Sequence, residues 1–317
     1  MTADGVPGEM RSAAMTLLAT LDDRQRSLAA RPFTDDAARR WLEYRPAQRP
    51  GACIAEMSGA ARKAAHRLLA TGLSDHAYAQ AMAAIALEEV LDRRERWLWG
   101  RHSGDYWVSV FGDPVGGDPW SWRFEGHHLS VTMTLAGGEI SPAPVFLGAN
   151  PACVSHAGRP VSRPLAPEED LARALIDALG PAGRDLAVVA GQAPGDIRSG
   201  TSPRAGDPIE PLGVAGSEIG PTARATLDSL VAVYLDRLPP GLAVREAARI
   251  TGGELYFAWE GPVTPGTRHY YRVQGDDLLI EYDNTSDDGN HAHTVLRRPR
   301  SDFGEDVLAA HYRQAHP

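Results

Sequence analysis

The sequence predicts an α+β protein: a helical N-terminal layer packed on a mainly antiparallel β-sheet, with a C-terminal helix. Three observations carry this. Residues 1–100 place apolar residues at helical spacing between charges, whereas 105–135 and 254–298 alternate with period two. The helical and strand-like runs are segregated, which favours α+β over a wound βαβ sheet. Gly 32 and Pro 24 in 317 residues are too many breakers for a helical bundle. The expectation is one compact domain over 1–317, with a helical part (1–100) and a β-rich part (105–317) carrying the functional site.

In chain order, Met15, Leu18, Leu21 and Leu28 form the first apolar stripe. Residues 58–72 read as an Ala-rich helix, and Ser74 as the N-cap of a longer one running to about Trp99. DYWVSVFG alternates as a strand. WSWRFEGHHLSVTMTL follows, with apolar residues at even positions up to Phe124 and odd ones from Leu129. A regular strand keeps its parity, so a bulge at Gly126 is expected. Pro167–Leu179 and Pro221–Leu238 read as helices, and DLAVVAG between them as a short strand. ELYFAWE, RHYYRVQG, DLLIEYDN and HAHTVLRR read as four strands. GEDVLAAHYRQAH closes the chain as a helix.

Composition excludes several functions. Lys+Arg 32 against Asp+Glu 41 gives −9, a poor balance for nucleic-acid binding. No run of about 18 apolar residues exists and the N-terminus lacks a signal-peptide pattern, so no membrane partner and a cytoplasmic location are expected. Cys53 and Cys153 read as free thiols. The G-x-G-x-x-G of a dinucleotide site and the G-x-S-x-G of a hydrolase elbow are absent, and Lys63 is the only lysine.

The histidines are informative. In Asn290-His291-Ala292-His293 the two imidazoles share one strand face, and imidazole suits Zn, Cu, Fe and Ni. If Asn284 pairs with Asn290, Glu281 lies opposite His293 and Asp283 opposite His291, which puts carboxylates beside the rings. Gly126-His127-His128 supplies a third ligand from either histidine. Three protein ligands leave one coordination position open, as catalytic metal sites do. Arg272 is a candidate for holding an anionic substrate group. His311, on the C-terminal helix, is either a core histidine or a proton shuttle for the cluster.

The blocks WSWRFEGHHLSVTMTL, PVFLGANPA, YYRVQGDDLLIEYDN and NHAHTVLRRPRSDFGEDVLAAHY resemble a bacterial and fungal family known as a domain of unknown function (DUF 3500). The resemblance covers about 105–317 and a less specific helical part before it, and it implies no activity. Function rests on the residues: a metal-dependent enzyme with a three-histidine site acting on a small molecule. The metal is expected to be Cu, or Fe with Glu281 completing a two-histidine-one-carboxylate set, for oxidative chemistry. Zn-dependent hydrolysis or hydration is the alternative, and a non-catalytic binding or interaction protein the third reading.

Overall fold

The computed structural model describes residues 5–315. Helix α1 (Val6–Thr20) buries Val6, Met10, Ala13, Ala14 and Leu17, one helical stripe, and packs on the helix Gly59–Thr71. The expected stripe was displaced: Met15 and Leu28 face solvent. The chain breaks after Leu21 because Asp22 caps a new turn, its carboxylate accepting from Gln25 N at 2.7 Å. Helix α2 (Gly59–Thr71) starts at the Ser58 cap and α3 (Asp75–Arg94) at the Ser74 cap. Helix α3 stops at Arg94, short of the expected Trp99, as the backbone turns left-handed at Arg96 and Trp97.

Four strands follow: β1 (Tyr106–Phe111), β2 (Trp120–Gly126), β3 (Leu129–Ala136) and β4 (Val145–Ala149). The parity change is a hairpin, not a bulge. Gly126 pairs with Leu129 across a two-residue turn at His127 and His128, so even positions on β2 face odd positions on β3. Helices α4 (Ala166–Ala178) and α5 (Pro221–Leu235) appear where expected. Within DLAVVAG only Val188–Ala190 is a strand, because its first residues end a short helix. The Pro239-Pro240 pair starts a further helix, α6 (Pro240–Ile250), rather than only ending one; Pro suits a first helical turn, whose N–H groups are unpaired anyway. Strands β5 (Tyr256–Glu260), β6 (Tyr270–Gly275), β7 (Leu278–Ser286) and β8 (His291–Arg297) precede helix α7 (Glu305–Ala315).

The long strands form one antiparallel run in the order β1-β2-β3-β4-β8-β7-β6-β5. One face is apolar: Val108, Trp122, Phe124, Val131, Met133, Leu147, Ile280 and Tyr282 pack beneath the helices in a single cluster. The opposite face is buried yet charged. Arg123 pairs with Glu125, Arg272 with Glu260 and Arg297 with Asp302, each at 2.7 Å. Loops cover this face, and a small apolar group of Tyr44, Phe146, Ile197, Val295 and Phe303 anchors them. The two predicted β regions do not pair directly. Strand β4 lies between them and joins β3 to β8.

Candidate metal centre

Three strand ends meet at this joint: the start of β3, the end of β4 and the start of β8. Across it runs one row of residues. His293 pairs with Gly148 on one side and with Asp283 on the other. Gly148 N donates to His128 O at 2.8 Å, which brings His128 into the same row. The glycine is essential there: a Cβ on Gly148 would lie 2.8 Å from His128 Cδ2 and 3.1 Å from Ala292 O. His128 is itself left-handed (φ +61°), and its N–H donates to Tyr44 O at 3.0 Å.

The structure brings His128, His291 and His293 together, with one ligand nitrogen from each ring inside 4.8 Å of the others. Nε2 of His128 and Nε2 of His291 face each other at 2.8 Å. A tetrahedral ion bound at about 2.0–2.1 Å separates two nitrogens by about 3.3 Å, so these rings need to part by roughly half an ångström to hold one.

His293 and His291 each have a carboxylate close to the other nitrogen. Nδ1 of His293 lies 3.0 Å from Asp196 and 3.1 Å from Asp283. Nδ1 of His291 lies 3.3 Å from Asp287 and 3.2 Å from the Asn150 amide, which itself donates to Asp287 at 2.9 Å. Nδ1 of His128 is 4.0 Å from Glu88, too far for a hydrogen bond. Carboxylates behind histidines fix the tautomer and raise ligand basicity, so this donor set fits a transition metal. The buried Oδ1 of Asn150, beside His291, has no partner among the described residues.

Electrostatics divide the three. Burial, with the neighbouring imidazoles, pushes His128 well down and His291 to about 4, so both are neutral donors. Burial also opposes charge on His293, but Asp283 and the bonds to Asp196 outweigh it and hold His293 at about 9. Asp196 is lowered in turn: burial works against the shift, and its bond to His293 prevails.

The other candidates lie elsewhere. His127 stacks on His128 at 3.7 Å, and its Nδ1 is 2.6 Å from Glu88. It lies outside the set of His128, His291 and His293, but with Glu88 and His128 it forms a second group whose ligand atoms lie within 4.8 Å of one another, beside an adjoining cavity. That cavity, of about 380 Å³, is bounded also by Gln48, Glu88, Trp99, Asp105 and Trp107. The expected register is off by two residues. Glu281 opposes Val295, and Asp283, not Glu281, opposes His293. The shift arises where the chain irregularly turns after Asp283, at Asp287 and Asp288 with positive φ. Glu281 is fully buried and accepts from Arg198 N at 2.7 Å, Ser199 N at 3.2 Å and Tyr270 OH at 2.9 Å. It fixes the loop that presents Asp196 and is not placed to ligate. Arg272 is consumed by Glu260 and by the carbonyls of Ile209 and Pro211, with no exposed surface. His311 sits on α7, which packs on β3 and on the short strand Glu139–Ser141, near Gly137. Gly137 follows the end of β3 opposite to His128, so His311 is remote from the cluster.

Sequence reading missed Glu88, Asn150, Asp196, Asp287 and the role of Gly148. Asn150 and Gly148 stood inside the PVFLGANPA block, the one available signal; Asp196 lay in a loop of unreadable conformation. Cys53 and Cys153 are free thiols outside the cluster.

The family model described as "Protein of unknown function (DUF3500)" matches residues 5–305. The chain belongs to this family. The match spans both halves of the sheet and every residue of the histidine cluster. Comparison with curated proteins gave no match, and neither did comparison with solved structures. Among the described residues of this DUF3500 chain no helix is long and apolar enough to cross a membrane.

Proposed function

We propose that this DUF3500 protein is a metal-dependent enzyme whose ion is held by His128, His291 and His293 and whose substrate is a small molecule. The observation that carries this is the convergence of three buried or half-buried imidazoles, two of which, His291 and His293, have a carboxylate within 3.3 Å of the outer nitrogen. A solvated histidine patch has no use for such backing, and burying it costs stability. An all-imidazole set with no carboxylate among the ligands favours copper over the iron set that required Glu281. Copper would supply one-electron chemistry with oxygen. The chain's own part is to position: Asp196 and Asp283 orient His293, Asn150 and Asp287 orient His291, and Tyr44 holds Asp196 by donating to its Oδ2 at 2.8 Å. His127, with Nδ1 engaged by Glu88, offers Nε2 to the cavity as a proton carrier.

Zinc-supported hydrolysis is the second reading, favoured by the same carboxylate backing, which also serves zinc-bound histidines. Metal analysis with an absorption spectrum of the isolated protein separates the two. Copper with a visible ligand-field band supports the first reading, and a colourless zinc protein replaces it with the second. A protein that takes up neither ion at micromolar concentration contradicts both.

A further inference from the structure

We propose that the loop 95–101 docks this protein onto an anionic lipid surface. Helix α3 ends at Arg94, and the chain then turns through two consecutive left-handed residues, Arg96 (φ +59°) and Trp97 (φ +60°). A bulky residue in that region is an outlier, and the surroundings must hold it there. They do. Glu95 and Arg101 close the base of the loop with two bonds, Nε to Oε2 at 2.6 Å and Nη2 to Oε1 at 3.1 Å. Trp97 N donates back to Asp92 O at 2.8 Å. The stapled loop projects Trp97, Leu98 and Trp99 outward, 62%, 75% and 72% exposed. No other three consecutive described residues leave so much apolar surface in water.

The charge around this tip runs against the rest of the chain. The guanidiniums of Arg93, Arg94 and Arg96 make no hydrogen bond or ion pair among the described residues. Of the nearby carboxylates, Glu95 pairs with Arg101, Glu88 lies against His127 and Asp92 is buried, while Glu89, accepting from Ser103, and Asp105, on the side of the cavity, remain as negative charges. In a protein of net charge −9, three arginines without an ion-pair partner among the described residues thus stand within six residues of one apolar tip. Tryptophan settles at the headgroup level of a bilayer, and arginines beside it are drawn to anionic lipid. A second copy docked with this tip on the two-fold axis would crowd the two sets of arginines together, which disfavours it. Docking by a loop tip needs no spanning helix. Trp99 also borders the cavity at His127, so a docked molecule has that cavity opening beside the lipid. Nothing in this docking requires a metal at the histidines.

The test is co-sedimentation of the full-length protein with vesicles of phosphatidylcholine and phosphatidylglycerol (3:1) and of phosphatidylcholine alone. Binding to the anionic vesicles is expected, weakened by salt. Each of Arg93→Ala, Arg94→Ala and Arg96→Ala should lower the affinity about fivefold, the value of one cation near such a surface. The Trp97→Ala/Trp99→Ala double variant should lose at least tenfold, with an unchanged circular dichroism spectrum. Three results would overturn the proposal: no binding at millimolar anionic lipid, equal binding to the neutral vesicles, or undiminished binding by the tryptophan variant. Self-association abolished by the tryptophan variant, without vesicle binding, would make the loop an interface between copies and equally refute it.

Discussion

Gly148 decides whether His128 can stand where it does. The ring occupies the space a Cβ would take, so Gly148→Ala is expected to push His128 out of the cluster while leaving the strand paired. Metal affinity should fall by about 10–100-fold, the scale of lost support around a metal site, as read by titration with the ion. Asp196→Asn should cost a similar factor by a different route, because it removes one of two carboxylates that hold His293. The same residues set a pH signature in the metal-free protein. His128 and His291 have lowered values, so below about 6.5 the unfolded chain binds protons that the folded one does not, and stability rises with pH. His293 is raised to about 9, so its contribution is fully present below about 6.5 and is lost as pH rises through about 9. The cluster's contribution should peak near pH 6.5 in urea titrations run across pH 4–10. A contribution that climbs steadily to pH 9 would contradict the assigned charge on His293. Because a ligand must be deprotonated, ion binding at pH 7.5 should release about one proton per chain.

At the scale of elements, the strand-like runs and the long helices were readable because their periodicities are local. The H-x-H pair was readable for the same reason: residues 291 and 293 share a face whatever the fold around them. The parity change at Gly126 carried more than a bulge would explain, for a two-residue hairpin turns both His127 and His128 to a sheet end. The register of β7 and β8 was not legible, since it depends on the irregular backbone at 284–290. The expected register set Glu281 opposite His293, whereas Asp283 stands there and Glu281 lies two residues earlier on β7. There its carboxylate ties the 196–199 loop to the sheet. Glu281→Ala leaves two backbone N–H groups and the Tyr270 hydroxyl without their acceptor. At about 1–3 kcal/mol for each group left unsatisfied, a loss of at least about 3 kcal/mol is expected in denaturant unfolding. A loss below about 1 kcal/mol would show that the loop is held by other contacts. Strand β4 was also unreadable as the link, because five buried residues look alike in a central strand and a helix turn.

For the whole molecule, the sheet separates its tasks by face. Helices cover the apolar face. Loops cover a face whose buried charges, Arg123–Glu125, Arg272–Glu260 and Arg297–Asp302, stand in fixed pairs. Removing one partner of such a pair strands a buried charge and costs about 3–5 kcal/mol, so Arg272→Ala should destabilise the fold rather than weaken substrate binding alone. The histidine cluster lies at the end of the sheet where its two halves join, so an ion there ties β3, β4 and β8 together. At a hundredfold excess over its dissociation constant the ion should add about 2.7 kcal/mol. The melting temperature should fall by several degrees on chelation. The most direct test of the central claim is calorimetric titration of Cu(II) and Zn(II) into the metal-free protein and into His128→Ala, His291→Ala and His293→Ala. One ion per chain, with each variant weakened at least about a hundredfold and His311→Ala unchanged, is the result predicted. No saturable binding by the parent protein, or binding that survives all three substitutions, would contradict it.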